Sequence, residues 1–224
     1  MKKVVLFISG FICFLNISAQ HQEEHNKNKT AQSANEHMHQ SSVDELSRRF
    51  ESPERDAYQQ PEKVLEYLGD IKGKKIMDIG AGTGYFSVKL AAKGAQVIAA
   101  DVSDEFQQYL KARIEKNQLK NIELRKIPYD HPGLNEKEAD MILIVNTYHH
   151  IENRSVYFTH VKKGTAAGGE LVIIDFFKTD VPVGPPPAHK VSMDEVIAEL
   201  KAAGYTSFEV NVNLLSYQFI IRAR

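Results

Sequence analysis

The chain has 224 residues, of which 42% are hydrophobic and 25% are charged, and its formal net charge is -1. This length accommodates one globular domain with a substantial core and an additional segment ahead of it. Because the net charge is close to zero, it gives no electrostatic argument for a nucleic-acid partner, and a small-molecule or lipid substrate is the simpler expectation.

The first 19 residues have the pattern of a secretory signal peptide. A positive start at Lys2 and Lys3 precedes an apolar run over residues 4–15, and Ala19 is a small residue suited to cleavage. The run is shorter than the roughly 20 apolar residues that span a bilayer. We therefore expect an exported, periplasmic protein that meets the membrane only through this segment, with anchoring by an uncleaved N-terminus as the alternative. The only cysteine, Cys13, lies in the run, so cleavage would leave no thiol.

Residues 20–42 are rich in polar residues and contain almost nothing apolar, which predicts a disordered linker. Four of the nine histidines lie here: His21, His25, His37 and His39. Histidine pairs can hold a transition metal. These pairs lie far apart in a segment without cysteine, so we predict no metal site. Residues 43–224 are predicted to form the folded domain, and apolar residues at helical spacing predict helices over residues 43–68, interrupted at Pro53.

Residues 75–101 predict a strand, a glycine turn, a helix and a second strand. The first apolar run contains Asp78 and leads directly into three glycines in alternate positions: Gly80, Gly82 and Gly84. Glycine reaches positive φ at little cost and lets the backbone lie against a ligand. The second apolar run stops at Asp101, and an acid about 20 residues beyond such a turn commonly binds ribose hydroxyls. The unit therefore predicts a nucleoside ligand.

The spacing of the glycines distinguishes between classes of nucleoside. A dinucleotide fingerprint requires glycine where Tyr85 stands, so a nicotinamide oxidoreductase is disfavoured. The pattern D-x-G-x-G-x-G from Asp78 to Gly84 resembles the first motif of the class I S-adenosylmethionine-dependent methyltransferases, and the resemblance extends from about Arg55 onward. It implies S-adenosyl-L-methionine as the cofactor, with Asp101 on its ribose and the glycine turn against its methionine half. It also implies a Rossmann-like, doubly wound sheet of seven mostly parallel strands, with an antiparallel last strand and helices on both faces.

Later segments place further polar residues near the ends of strands. In related methyltransferases the loop over residues 127–134 passes the adenine, which gives Asp130 a cofactor contact, although ordinary turn formation explains this residue nearly as well. The apolar run over residues 141–145 predicts a buried fourth strand that ends at Asn146, another predicted cofactor contact. A fifth strand over residues 171–174, after a glycine turn at 168–169, ends at Asp175. Ligands collect beyond the carboxyl ends of parallel strands.

Methyl transfer from a sulfonium is an in-line displacement for which the protein mainly supplies alignment and exclusion of water. A base is needed only when the nucleophile carries a proton of high pKa, such as that of a hydroxyl. We predict that His149 or His150, helped by Tyr148, acts as base or orients the substrate. The alternative is that Tyr148 and one histidine only pack over the cofactor.

Three residues are predicted to contact substrate: Tyr58, Asp175 and His189. Tyr58 lies on the helices that commonly close the cofactor site in this family, and packing of that helix face on the sheet is an equal alternative. His189 follows the proline-rich segment 181–188, which we interpret as a substrate lid or, equally well, as a rigid crossover loop.

The resulting expectation is a methyltransferase that acts on a small molecule. The competing expectation is an exported, non-catalytic methyltransferase-like protein that binds a nucleoside or a metal, because export separates the chain from S-adenosylmethionine made in the cytosol. No nucleic-acid partner is expected, and the oligomeric state does not follow from the sequence.

Overall fold

A computed structural model of the chain describes residues 42–224. Residues 1–41 lie outside this part, so the signal peptide, nearly all of the linker and the export derived from them stay predictions. Among the helices of residues 42–224, none is both long enough and apolar enough to cross a membrane.

Three short helices precede the sheet: α1 (Val43–Phe50), α2 (Pro53–Gln59) and α3 (Pro61–Leu68). The first two begin at serines whose side chains cap the helix, because Ser42 Oγ accepts from the Glu45 N–H and Ser52 Oγ accepts from the Arg55 N–H. The second and third begin with proline, whose fixed φ suits a first helical turn. The predicted interruption at Pro53 is therefore the start of a new helix.

Seven strands form one sheet in the order β3-β2-β1-β4-β5-β7-β6. In chain order they are β1 (Lys75–Ile79), β2 (Gln96–Asp101), β3 (Ile122–Lys126), β4 (Ala139–Val145), β5 (Thr165–Phe176), β6 (Phe208–Asn211) and β7 (Gln218–Ala223). All pairs are parallel except those of β7, which runs antiparallel to β5 and to β6. The carboxyl ends of β1, β2, β4 and β5 therefore meet at one edge, together with the start of β7.

Helices cover both faces of the sheet: α4 (Tyr85–Ala92), α5 (Asp104–Lys116), α6 (Arg154–Gly164) and α7 (Met193–Ala202). One apolar cluster packs the sheet against α6 and α7, and a second packs it against α3 and α4. Strand β4 is buried on both faces, as its continuous apolar run predicts. The doubly wound fold predicted from the sequence is confirmed.

The glycine turn predicted ahead of the fifth strand is wrong, because β5 already begins at Thr165. Thr165 pairs with Ala139, whereas Glu170 pairs with Met141, so β5 carries extra residues between two stretches of regular pairing. The glycines at 168–169 lie in this irregularity, where Gly168 has φ +77°. A β-bulge of this kind needs the conformational freedom of glycine, and the same glycines at 168–169 are what predicted a turn from the sequence.

Candidate active site

The three glycines after β1 all have positive φ: Gly80 at +75°, Gly82 at +53° and Gly84 at +81°. A Cβ on Gly80 would lie 2.3 Å from Thr147 Oγ1, and one on Gly84 would lie 2.3 Å from a methyl carbon of Leu110. Packing of the protein itself therefore excludes side chains at these two positions. A Cβ on Gly82 would come no closer than 3.9 Å to any other atom, a ring carbon of α1. Gly82 consequently borders open space in which a ligand can approach the backbone.

Asp101 at the end of β2 is joined to this turn. Its Oδ2 accepts a hydrogen bond from the Gly82 N–H at 2.7 Å, and its Oδ1 accepts one from the Ser103 N–H at 2.9 Å. The carboxyl group is 6% exposed, and burial raises its pKa while the backbone N–H groups oppose that rise. The structure thus brings Asp101 and Gly82 together, as expected of residues that share a nucleoside.

Asp78 lies beneath the turn and is 3% exposed. Its Oδ2 accepts from the Ser87 hydroxyl at 2.7 Å, which ties the end of β1 to α4. Burial raises the pKa of Asp78 to about 6, against the opposing effects of the Ser87 hydrogen bond and the charge of Arg55. The geometry therefore shows Asp78 as a support of the glycine turn, and its contact with a cofactor stays a prediction.

His149 and Asp175 form a buried pair beyond the ends of β4 and β5. The His149 Nδ1 lies 3.2 Å and 3.1 Å from the two carboxylate oxygens of Asp175, and the two residues are 5% and 3% exposed. The Phe176 N–H also donates to Asp175 Oδ1 at 2.8 Å, which fixes the carboxylate. A histidine held by a carboxylate at one ring nitrogen has its other nitrogen available for proton transfer.

His150 and His189 lie near this His–Asp pair. The His150 ring centroid is 4.3 Å from that of His149. Burial, together with the charges of His149 and His189, lowers the pKa of His150 to about 3, against the opposing effect of Asp175. His150 is therefore neutral at physiological pH. The structure brings three of the predicted site residues together at the ends of two adjacent strands, His149, His150 and Asp175, and His189 approaches them from the segment after β5.

The helices ahead of β1 cover the glycine turn. Glu51 accepts from the Thr83 hydroxyl at 2.6 Å and from Arg113 Nη1 at 2.5 Å, and Arg113 also donates to the Thr83 carbonyl at 3.0 Å. The Phe50 ring stacks on Phe106 of α5 with centroids 6.0 Å apart. The Tyr85 hydroxyl donates to Asp56 of α2. We call α1 and α2 the cap, because these contacts hold both helices over the turn.

Comparisons with known proteins agree with this geometry. A family model described as a methyltransferase domain matches residues 77–173. The crystal structure of a SAM dependent methyltransferase from Aquifex aeolicus superimposes with a TM-score of 0.75 at 28% identity, covering 82% of this chain and 98% of that one. The ubiquinone biosynthesis O-methyltransferase of Acinetobacter baylyi is 31% identical over 117 residues, 52% of this chain and 48% of that protein. A tRNA U34 carboxymethyltransferase of Pseudoalteromonas translucida is 29% identical over 50% of this chain and 35% of its own length.

The segment that matches the family model begins in β1 and ends in β5, and so it contains the glycine turn, Asp101 and His149. The chain therefore carries a methyltransferase domain similar to those of the class I S-adenosylmethionine-dependent methyltransferases. It spans about half the length, or less, of the curated relatives named above. The comparisons thus support a methyltransferase domain, whereas the substrate of this methyltransferase is a matter for proposal.

Two further predicted site residues of this methyltransferase lie outside the strand ends: Tyr58 lies in the cap and Asp130 lies on a loop. Tyr58 is half-buried, with its ring centroid 6.0 Å from that of Phe176, and so it lies close to the residue after Asp175. Burial raises the pKa of its hydroxyl, and the charge of Arg55 opposes that rise. Asp130 is exposed on the loop that begins beside Asp101, and its contact with adenine stays a prediction.

Tyr148 is not brought to the histidines. Its side chain is fully buried, its ring stacks on Phe158 with centroids 5.0 Å apart, and its hydroxyl donates to Glu199 Oε2 of α7 at 2.7 Å. Burial and the negative charge of Glu199 raise the pKa of Tyr148 far above its usual range. The methyltransferase uses this tyrosine as a core contact with α6 and α7, a role that neither interpretation of the sequence gave it.

Asn146, at the end of β4, belongs to a cluster of three side-chain amides. Its Nδ2 donates to Gln59 Oε1 at 3.1 Å and its Oδ1 accepts from Gln218 Nε2 at 2.5 Å. Asn146 has φ +56°, and both glutamines are fully buried. We call Gln59, Asn146 and Gln218 the amide cluster. Sequence reasoning missed Gln218, because only the topology shows that the start of β7 lies at the carboxyl edge.

Proposed function

We propose that this methyltransferase transfers a methyl group from S-adenosylmethionine to a hydroxyl group of a small molecule. The observation that carries the proposal is the buried His149–Asp175 pair beside the glycine turn. A base is required when the nucleophile must lose a proton of high pKa as it attacks, as a hydroxyl does, and is dispensable for a nucleophile without such a proton. Active sites are where buried titratable pairs are commonly arranged, and this pair lies at the edge of the sheet where ligands collect.

The residues at the turn fit the nucleoside half of the cofactor. Gly82 leaves space that no protein atom fills within 3.9 Å, and the Asp101 carboxylate beside it can accept hydrogen bonds from ribose hydroxyls in addition to those from the backbone. When bound, the cofactor supplies an electrophilic methyl group on a sulfonium.

The His–Asp pair gives the protein a defined part in the reaction. Asp175 accepts from the Nδ1–H of His149, which places the free electron pair on Nε2. Nε2 takes the hydroxyl proton of the substrate as its oxygen attacks, and Asp175 stabilises the imidazolium that forms. The low pKa of His150 keeps that neighbouring ring uncharged, so it does not oppose the positive charge that His149 acquires.

Binding experiments test the cofactor first. The full-length chain is titrated in a calorimeter with S-adenosylmethionine, S-adenosylhomocysteine and NAD, and we expect micromolar affinity for the first two and no binding of NAD. Asp101→Ala should weaken binding of both methionine-derived nucleosides by about 1–3 kcal/mol, the value of a charge-assisted hydrogen bond. Failure of the wild-type chain to bind either would refute the proposal and favour the non-catalytic alternative.

Turnover then separates the acceptor classes. Methyl-labelled S-adenosylmethionine is incubated with a panel of phenols and aliphatic alcohols in one arm and with bulk tRNA in the other, because the relatives include a ubiquinone biosynthesis O-methyltransferase and a tRNA U34 carboxymethyltransferase. The net charge of -1 favours the small-molecule arm. Label in tRNA alone would overturn the small-molecule assignment while leaving the methyltransferase assignment intact.

We further propose that the protein is exported and that residues 1–19 are removed. The support is the positive start, the apolar run and the small residue at Ala19. N-terminal sequencing of the protein from fractionated cells tests this proposal. A periplasmic chain that begins at Gln20 is expected, and an intact Met1 in the cytosolic fraction would contradict it.

A further inference from the structure

Lys190 is a buried lysine at the far end of the proline-rich segment. It is only 3% exposed, although lysine is almost never buried unless its charge is paired. Its Nζ donates to the Thr179 carbonyl at 2.8 Å and lies 5.7 Å from the ring centroid of Phe176. Burial lowers the pKa of this ammonium group, and the negative charges of Asp180 and Asp175 oppose that effect. The groups that compensate the buried charge therefore lie at the end of β5 and in the residues that follow it.

The hydrogen bond from Lys190 to Thr179 closes residues 180–189, which we call the proline loop. The middle of this loop also contacts the end of β5, at Gly184. Gly184 has φ +82°, and a Cβ there would lie 2.7 Å from two carbons of the Phe176 ring, so its backbone packs directly on that ring. Prolines restrict the chain between these contacts. Of the two interpretations of the proline-rich segment, these contacts favour the fixed loop.

The proline loop lies beside the His149–Asp175 pair. Phe176, on which the loop packs, donates its N–H to Asp175 Oδ1 at 2.8 Å. The loop also carries His189, which is close enough for its charge to act on His150. One short segment thus contacts the residue that fixes the carboxylate and brings a third imidazole toward the other two. The position of the loop relative to the pair therefore depends on the contacts that hold it to Phe176.

We propose that Lys190 is a positioning residue for methyl transfer, which keeps the proline loop closed on Phe176 and so fixes His189 as a wall of the acceptor site. The inference rests on the proposed function, since it takes the His149–Asp175 pair as the base. A loop that is ordered before the acceptor binds takes no ordering cost from the free energy of binding. Lys190 should therefore strengthen binding of the acceptor. It should leave the cofactor unaffected, because the glycine turn lies at the end of a different strand, β1.

Hydrogen exchange of the full-length chain tests the closed loop without any ligand. Lys190→Met removes the ammonium group and keeps an unbranched side chain. Peptides that contain the His189 amide, which donates to the Pro186 carbonyl at 3.0 Å, should exchange about 10-fold faster in this variant, because the loop opens more often. Gly184→Ala should have the same effect through a different contact, since its Cβ would displace the loop from Phe176.

Turnover then tests the role of the loop in the reaction. The acceptor is the phenol or aliphatic alcohol that the wild-type chain methylates fastest with methyl-labelled S-adenosylmethionine. Both variants should raise KM for this acceptor about 10-fold and leave kcat unchanged, because binding of the acceptor then has to order the loop. The Kd of S-adenosylmethionine, measured by calorimetry, should stay the same. An effect confined to the acceptor distinguishes positioning from a general loss of stability.

Lys178→Met and Gly69→Ala are the matched controls. Lys178 lies in the same segment, but its Nζ pairs with Glu195 at 3.6 Å and its side chain is 44% exposed. Gly69 has φ +79° with no atom within 4 Å of an added Cβ, so its replacement carries the backbone strain of Gly184→Ala without the clash. Both controls should leave the exchange of the proline loop and the KM of the acceptor at their wild-type values.

Unchanged exchange in Lys190→Met would overturn the inference, because the loop would then not depend on the ammonium group. Faster exchange with an unchanged KM would overturn it as well and leave Lys190 a role in the fold alone. A weaker affinity of this variant for S-adenosylmethionine would show general damage and also contradict the inference. Should Lys190→Met fail to fold, Gly184→Ala decides, since Gly184 is exposed. Failure of the wild-type chain to methylate any hydroxyl acceptor would instead refute the proposed function.

Discussion

Replacing Asp78 with asparagine tests how the glycine turn is held as the pH changes. The pKa of Asp78 is about 6 in the folded chain, against an ordinary value of 3.8, and burial is the main cause. Because the folded pKa is the higher one, the folded chain binds the proton more tightly than the unfolded chain does. Proton binding at Asp78 therefore adds to the free energy of unfolding. This stabilisation is complete below pH 4 and is lost as the pH rises through 6. The gap between the two values corresponds to about 3 kcal/mol.

Asparagine keeps an oxygen that accepts from the Ser87 hydroxyl and never ionises. The compared quantity is the free energy of unfolding of Asp78→Asn minus that of the wild-type chain. This difference should therefore be larger at pH 8 than at pH 4, by up to about 3 kcal/mol. Any cost of the unpaired amide nitrogen is the same at both pH values and cancels in this comparison. Binding and turnover are not needed for the measurement.

Urea denaturation of both chains at pH 4 and pH 8 gives the four free energies of unfolding. Asp180→Asn, which removes an exposed carboxylate, is the matched control for the loss of one acidic side chain. A difference between Asp78→Asn and the wild type that is equal at the two pH values would refute the reasoning. A wild-type advantage that grows with pH would show that Asp78 is stabilised as the carboxylate.

Three further predictions follow from the site. His149→Gln, or Asp175→Asn, should lower kcat for a hydroxyl acceptor about 10²- to 10⁴-fold in a labelled-methyl assay while the Kd of S-adenosylmethionine stays the same; an unchanged kcat would exclude a catalytic base here. Gly80→Ala should lower the free energy of unfolding by about 2–4 kcal/mol and Gly82→Ala by only about 1–2 kcal/mol, since a clash adds to positive φ only at Gly80; equal losses in urea denaturation would contradict this. Tyr148→Phe should cost about 1 kcal/mol of stability and leave kcat unchanged, whereas a large loss of kcat would restore Tyr148 to the catalytic groups.

The sequence predicts the elements whose signals are local. The glycine turn, Asp101 and the apolar runs lie within single segments, so their spacing determines a strand, a turn and a helix without knowledge of distant partners. Parallel topology then places His149 and Asp175 at neighbouring strand ends, which is why the pair was predictable although the two residues are 26 positions apart.

The direction of side chains within a tight turn is not determined in this way. Tyr148 and His149 are adjacent in one short helical turn, yet the first side chain enters the core and the second contacts Asp175. A strand end shows where a turn begins but not which of its residues faces the ligand. The same limit hides Glu51 and Gln218, whose partners depend on how the cap and the last strand lie in three dimensions.

The amide cluster joins the first and the last elements of the domain. Gln59 and Gln218 are separated by 159 positions, with six of the seven strands between them. Closing so long a stretch of chain is entropically costly and comes late in folding. A chain that is still being synthesised, or one shortened before β7, has a complete glycine turn but an open cluster. Completion of the cluster therefore requires the C-terminal strand, and a chain that ends at Tyr217 leaves Asn146 Oδ1 without the hydrogen bond that Gln218 donates.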